Sequence, residues 1–152
     1  MKEYQRNTKS CNFSDLHTET IASFKKYFEK NDLGNVETEI ILCCETTSTK
    51  IKPGLFGKLF GGGNFAQNTI IFFTPNRLFW GSTDQKDHIT ILSAKLKEIE
   101  IKDFNSNLIE DNGLEIFGFL NDSPKRVQAF IGFGEEPFAD EFRKRLKETA
   151  LN

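Results

Sequence analysis

Asn68-Thr-Ile-Ile-Phe-Phe-Thr-Pro-Asn-Arg-Leu-Phe-Trp-Gly-Ser-Thr83 decides how this chain folds. Two short apolar runs flank Thr74-Pro75-Asn76-Arg77, and Pro and Asn favour a turn between them. The stretch predicts two strands joined as a hairpin. Downstream, His88–Leu92 predicts a further strand with Ile89 and Ile91 inward. Glu98–Lys102 alternates apolar and charged residues, the pattern of a half-buried strand. Leu96 is out of phase with Ile99 and Ile101, so a bend is expected near Ser93–Leu96. Leu114–Leu120 and Arg126–Phe133 predict two more strands around Asn121–Lys125.

The ends of the chain read as helix. Pro137 suits a first helical turn, and Glu135, Glu136, Asp140 and Glu141 complement the positive end of its dipole. Phe138, Phe142 and Leu146 then recur at one-turn spacing, a stripe that needs an apolar surface to cover. Upstream of the hairpin, residues 36–48 predict a long strand with Val36, Ile40, Leu42 and Cys44 on one face. Before it, Ser14 or Thr18 caps a helix reaching about Lys30, with the stripe Ile21, Phe24 and Phe28. Residues 1–13 are polar and predict a flexible tail. The expected division is tail 1–13, helix 14–34 and a mainly β domain 35–152, with the final helix plugging an antiparallel barrel.

Composition removes several function classes. The chain has 152 residues, enough for one domain, and 16 Phe to pack it. A formal net charge of −2 argues against nucleic-acid binding, which calls for a strongly basic surface. Cys11, Cys43 and Cys44 do not make a disulfide framework and point to a reducing, cytoplasmic location. No stretch approaches the roughly 20 apolar residues of a membrane span, so membrane attachment is expected to be peripheral. Gly57-Lys58 lacks the earlier glycine and the following Ser or Thr of a phosphate loop, and no GxGxxG motif opens a helix. Adjacent Cys43 and Cys44 point to opposite faces of a strand, so with His17 and His88 they make no metal set. No nucleophile with a paired base stands out, and neither a cofactor nor catalysis is expected.

Ile70-Ile-Phe-Phe-Thr-Pro-Asn-Arg-Leu-Phe-Trp80, with Ile89–Ile99 and Gly113–Phe119 in support, resembles the pleckstrin-homology-like superfamily in its GRAM and bacterial PH-like branches. The resemblance covers about residues 36–150. It implies a seven-stranded, bent antiparallel barrel closed by the C-terminal helix, here with an added N-terminal helix. It also implies a non-catalytic adaptor for anionic lipids or peptides, with the site on the loop between the first two strands. In this chain that loop is 49–67. Lys50 and Lys52 stand near the basic position of phosphoinositide-binding members, whereas strand 68–74 carries no basic residue.

Within the 49–67 loop, residues 50–65 are the best binding candidate from residue types alone. Lys50, Lys52 and Lys58 alternate with Phe56 and Phe60 among glycines. Such a mixture suits an interface where cations meet headgroups and rings enter the acyl boundary. Three lysines contribute about 3 kcal/mol and two exposed Phe roughly 3–6 kcal/mol before ordering costs. Arg77 is the further candidate contact; Asp84 and Asp87, where their loop borders the site, repel anionic lipid and count against the lipid reading. The alternative is a protein-interaction or self-assembly module in which the apolar loop buries against another protein or a second copy.

Overall fold

A computed structural model describes residues 3–51, 66–83 and 88–152. Eight antiparallel strands among them form two sheets. The first has the order β1 (Tyr4–Ser10), β2 (Leu42–Lys50), β3 (Ala66–Phe73), β4 (Arg77–Thr83) and β5 (Ile89–Lys95). The second has the order β6 (Ile99–Asp103), β7 (Gly113–Phe119) and β8 (Arg126–Gly132). Three α-helices are found among the described residues: α1 (Thr18–Lys30), α2 (Val36–Glu39) and α3 (Pro137–Leu151).

The predicted hairpin forms in register, with Phe73 opposite Leu78 and Ile71 opposite Trp80. The Thr74 hydroxyl accepts the Arg77 amide at 3.1 Å, and the Thr74 amide donates to the Arg77 carbonyl at 2.9 Å. The anticipated bend is a single 3₁₀ turn, Leu96–Glu98, which redirects the chain from one sheet to the other. Because β3 and β4 are buried on both faces, two apolar layers exist. On the inner side, Cys44, Ile71, Phe73, Leu78 and Trp80 meet Leu114, Ile116 and Ile131 of the second sheet. α3 seals that layer with Ala139, Phe142 and Leu146, all fully buried. On the outer side, α1 lays Phe24 and Phe28 over Cys43, Ile70, Phe72 and Phe79. Gly81 allows the close approach, since a Cβ there would lie 2.8 Å from the Phe24 ring.

Three expectations are corrected. The segment 1–13 is not a tail along its length: Tyr4–Ser10 adds an edge strand whose Arg6 opposes Ser48 and Thr8 opposes Thr46. Val36–Glu39 is helix rather than strand; the Asn35 side chain accepts the Glu37 amide, and Lys25 of α1 pairs with Glu37 at 2.8 Å. The seven-stranded closed barrel is replaced by sheets of five and three strands. Their facing edges, β1 and β8, meet through side chains and not through a ladder. The mainly β class and the C-terminal helix stand as expected.

Cys43 and Cys44 do face opposite layers. The Cys11 thiol and burial hold the Cys43 thiol well above its ordinary pKa, and burial raises Cys44 likewise. A raised folded pKa leaves stability intact below the unfolded value of about 8.5 and erodes it above. In urea unfolding the thiols' contribution to stability is expected to be constant up to about pH 8. Toward pH 10 the loss is about 1.4 kcal/mol per pH unit per buried thiol. Cys44→Ala should lower that slope by one thiol's share; an unaltered slope would contradict the assignment.

Candidate functional site

β2 carries an inner row of hydroxyls, Thr46 and Ser48, where an all-apolar core strand would carry Val or Ile. β3 and β4 extend the polarity with Thr69 and Ser82, whose hydroxyls lie 3.2 Å apart. The inner face of the first sheet thus changes from apolar near Phe73 to hydroxylated near Ser48. The second sheet does not follow this change, and the two layers part. Between them opens a cleft of about 540 Å³. Ser48, Thr69 and Ser82 line one wall, Trp80, Leu92, Ala129 and Ile131 the apolar part, and Phe104, Phe130 and Ile109 the opposite rim. Phe104 and Phe130 meet edge to face at 5.1 Å.

Arg6 crosses from β1 into this opening. Its Nε donates to Asp111 Oδ1 at 2.9 Å and its Nη2 to Asp111 Oδ2 at 2.7 Å, a two-pronged pair with both side chains about one-eighth exposed. Nη1 donates to the Ser48 hydroxyl. The guanidinium also lies 4.7 Å from the Tyr4 ring centre and 5.4 Å from that of Phe130. Gly132 makes room for it, because a Cβ there would collide with the guanidinium. Thr8, one inward step along β1, accepts the Gly134 amide at 2.8 Å, bonds to the Thr46 hydroxyl at 2.7 Å and donates its amide to Glu136. These contacts join the two sheets along the seam. The Arg6–Asp111 pair also borders a second hollow of about 420 Å³ beside Tyr4, Ile51 and Glu136. A volume in this range and a mixed lining are those of a small-ligand site.

The register locates the candidate loop relative to the cleft. Thr49 pairs with Ala66, and Ser48 and Gln67 line the cleft. Ile51 and Ala66, from which the 52–65 segment departs, therefore sit at the same end of the sheet as the cleft's hydroxyl wall. Thr83 opposes Ile89 at that end too, and its hydroxyl donates to the Asn68 carbonyl. Lys50 is exposed at the end of β2. Lys52, Phe56, Lys58 and Phe60, with Asp84 and Asp87, lie outside the described residues.

Arg77 is not brought to this place. It begins β4, whose next residue, Leu78, is level with Phe73 and Leu42. Lys50 lies eight positions farther along β2 than Leu42, about 26 Å at the usual rise per strand residue. The Arg77 guanidinium bonds Asp122 at 3.3 Å and Ser93 at 3.4 Å. Ser93 meets the Tyr27 hydroxyl at 2.6 Å, and its amide donates to Asn121. Arg77 thus ties α1, β5 and the β7–β8 turn together. The sequence does not announce the Arg6–Asp111 pair, and the polar run 1–13 that holds Arg6 predicts a tail. Their separation in the chain and the polar setting of Arg6 hide the pairing.

Among the described residues no group of three His, Cys, Asp or Glu side chains is placed to hold a metal ion. Among the described residues no helix is long and apolar enough to cross a membrane. No family model, curated protein or solved structure matches this chain.

Proposed function

We propose that this chain is a non-catalytic binding domain of PH-like type that meets an anionic membrane surface or lipid headgroup with the rim of the inter-sheet cleft. Lys50 and the 52–65 segment supply the cations and rings. The observation that carries the reading is the departure of the Lys/Phe-bearing segment from the cleft's own rim, between Ile51 and Ala66. The order of a four-stranded meander β2–β5, a three-stranded meander β6–β8 and a terminal helix supports the PH-like part. β1 and α1 are then additions, one widening the first sheet and the other covering its outer face. Arg6 is already neutralised by Asp111, so it shapes the rim and leaves headgroup charge to the lysines.

Co-sedimentation with vesicles of phosphatidylcholine containing phosphatidylserine tests the reading. Wild type is expected to pellet with anionic vesicles, to remain in the supernatant with neutral ones, and to be released by salt. Lys50/Lys52/Lys58→Glu removes about 3 kcal/mol of attraction, and binding should fall by roughly 100-fold or more. Equal recovery of the two proteins would refute it.

A second reading is self-assembly through the three-stranded sheet. β8 is an edge strand, and Phe117, Val127 and Phe130 are 42%, 40% and 39% exposed. Pairing of two copies along the Arg126–Gln128 half of β8, away from the Arg6 seam, would cover Val127. Light scattering over a range of concentrations separates the two readings: mass growing with concentration favours assembly, and a strict monomer that pellets with anionic vesicles favours the lipid reading.

A further inference from the structure

The first sheet ends at a pair of thiols. The β1–β2 ladder closes with Ser10 opposite Cys44, and the next step sets Cys11 opposite Cys43. The Cys11 amide donates to the Cys43 carbonyl at 3.2 Å, which fixes that register. The two sulfurs lie 3.0 Å apart. Directly opposed residues of antiparallel strands have Cα atoms about 4.5–5.5 Å apart. That falls within the about 4.4–6.8 Å that a disulfide spans. Closing the sulfurs by about 1 Å reaches bonding distance without moving the strands. Exposure differs between the two: Cys11 is partly accessible, whereas Cys43 is buried beneath it. Cys44, the third thiol, faces the inner layer beside Ile71 and Trp80 and cannot compete.

We propose that Cys11 and Cys43 are an oxidative modification site that closes to an intramolecular disulfide by exchange with a low-molecular-weight disulfide. In the first step the Cys11 thiolate attacks one sulfur of the small disulfide and expels one thiolate, leaving a mixed disulfide on Cys11. In the second, the Cys43 thiolate attacks the Cys11 sulfur and expels the other thiolate. The protons lost by Cys11 and Cys43 end on the two small thiols, and the small disulfide is the species reduced. Burial disfavours the Cys43 thiolate, so the second step is the slow one and accelerates as pH rises. The product fastens β1 to β2 at the base of the segment 12–42, which carries α1. It also pins the strand that delivers Arg6 to the cleft.

Wild-type protein incubated with oxidised glutathione, alkylated after denaturation and digested, gives the test. The expected product is lighter by two hydrogen atoms, contains a Cys11–Cys43 cross-linked peptide pair, carries alkyl label on Cys44, and reverts with dithiothreitol. Its Tm should exceed that of the reduced protein by roughly 5–15 °C. Cys11→Ser, a substitution at a partly exposed position, should retain the reduced protein's Tm and gain nothing from oxidation. A glutathione adduct that persists on Cys11, a Cys43–Cys44 linkage, or alkylation of all three thiols after incubation would each overturn the proposal.

Discussion

Phe72→Ala is expected to lower stability by about 3–5 kcal/mol, which for a chain of this size lowers Tm by roughly 6–20 °C. Phe72 is fully buried on the outer face of β3. Its ring lies 4.9 Å from that of Phe79, 5.0 Å from Phe24, 6.0 Å from Phe13 and 6.1 Å from Phe28. One truncation therefore weakens the sheet's contact with α1 and with the 3₁₀ turn Phe13–Asp15 at once. The cavity would be walled by stiff rings that collapse poorly, which places the cost in the upper part of the large-to-small range. Phe117→Ala is the control. That ring is 42% exposed on the outer face of the second sheet, and its removal should cost about 1 kcal/mol or less. Chemical denaturation of the three proteins checks the pair of expectations. A loss below about 1 kcal/mol in Phe72→Ala would mean that α1 does not dock on this sheet.

Arg6→Ala should cost about 2–4 kcal/mol, because it removes a two-pronged and largely buried ion pair. Asp111 is about one-eighth exposed with Arg6 in place, and removing the guanidinium takes away its two-pronged partner while the Asn112 amide still donates at 2.8 Å. Breaking a fully buried pair costs about 3–5 kcal/mol, and partial exposure reduces that. A double-mutant cycle with Asp111→Ala should return a coupling of about 1–3 kcal/mol, because the pair is close and two-pronged. Were Tyr4–Ser10 a tail, Arg6→Ala would stay within about 0.5 kcal/mol of wild type and the cycle would show no coupling. Denaturant midpoints of the four proteins decide between these outcomes. Arg6 lines both hollows, as do Tyr4 and Asp111, so the same substitution links the stability of the seam to the shape of the cleft.

Where side-chain patterning was strong, the sequence was readable. The hairpin at 70–80 combines two buried faces with a Pro-Asn turn, and both signals act locally. The stripes Phe24/Phe28 and Phe142/Leu146 state which face of each helix is buried, and both faces are. The phase shift at Leu96 located the passage between sheets. β1 was illegible because an edge strand pairs through its backbone. Of Tyr4–Ser10, Thr8 alone is buried, so there is no apolar alternation to detect. Val36–Glu39 misled in the opposite direction. Its alternation mimics a strand, while the Asn35 cap and the Lys25–Glu37 pair, neither encoded in periodicity, make a helical turn. The barrel expectation failed for a third reason. Closure is a long-range property of two edges, and here Arg6, Thr8 and Glu136 bridge the seam in place of a ladder. Of the site, Lys50 lies near the cleft and Arg77 does not. Residue type alone marked both as candidate cations, and only register separates them.

On the proposed function, the cleft rim is the face that meets other molecules. A backbone amide NMR titration with anionic phosphatidylserine-containing bicelles tests it most directly. The predicted result is a set of shifts confined to the Tyr4–Arg6, Ser48–Thr69 and Ser82–His88 neighbourhoods, with the Arg77–Asp122 end unmoved. Shifts centred on Arg77, Asp122 and Tyr27, or none at saturating bicelle concentration, would contradict it.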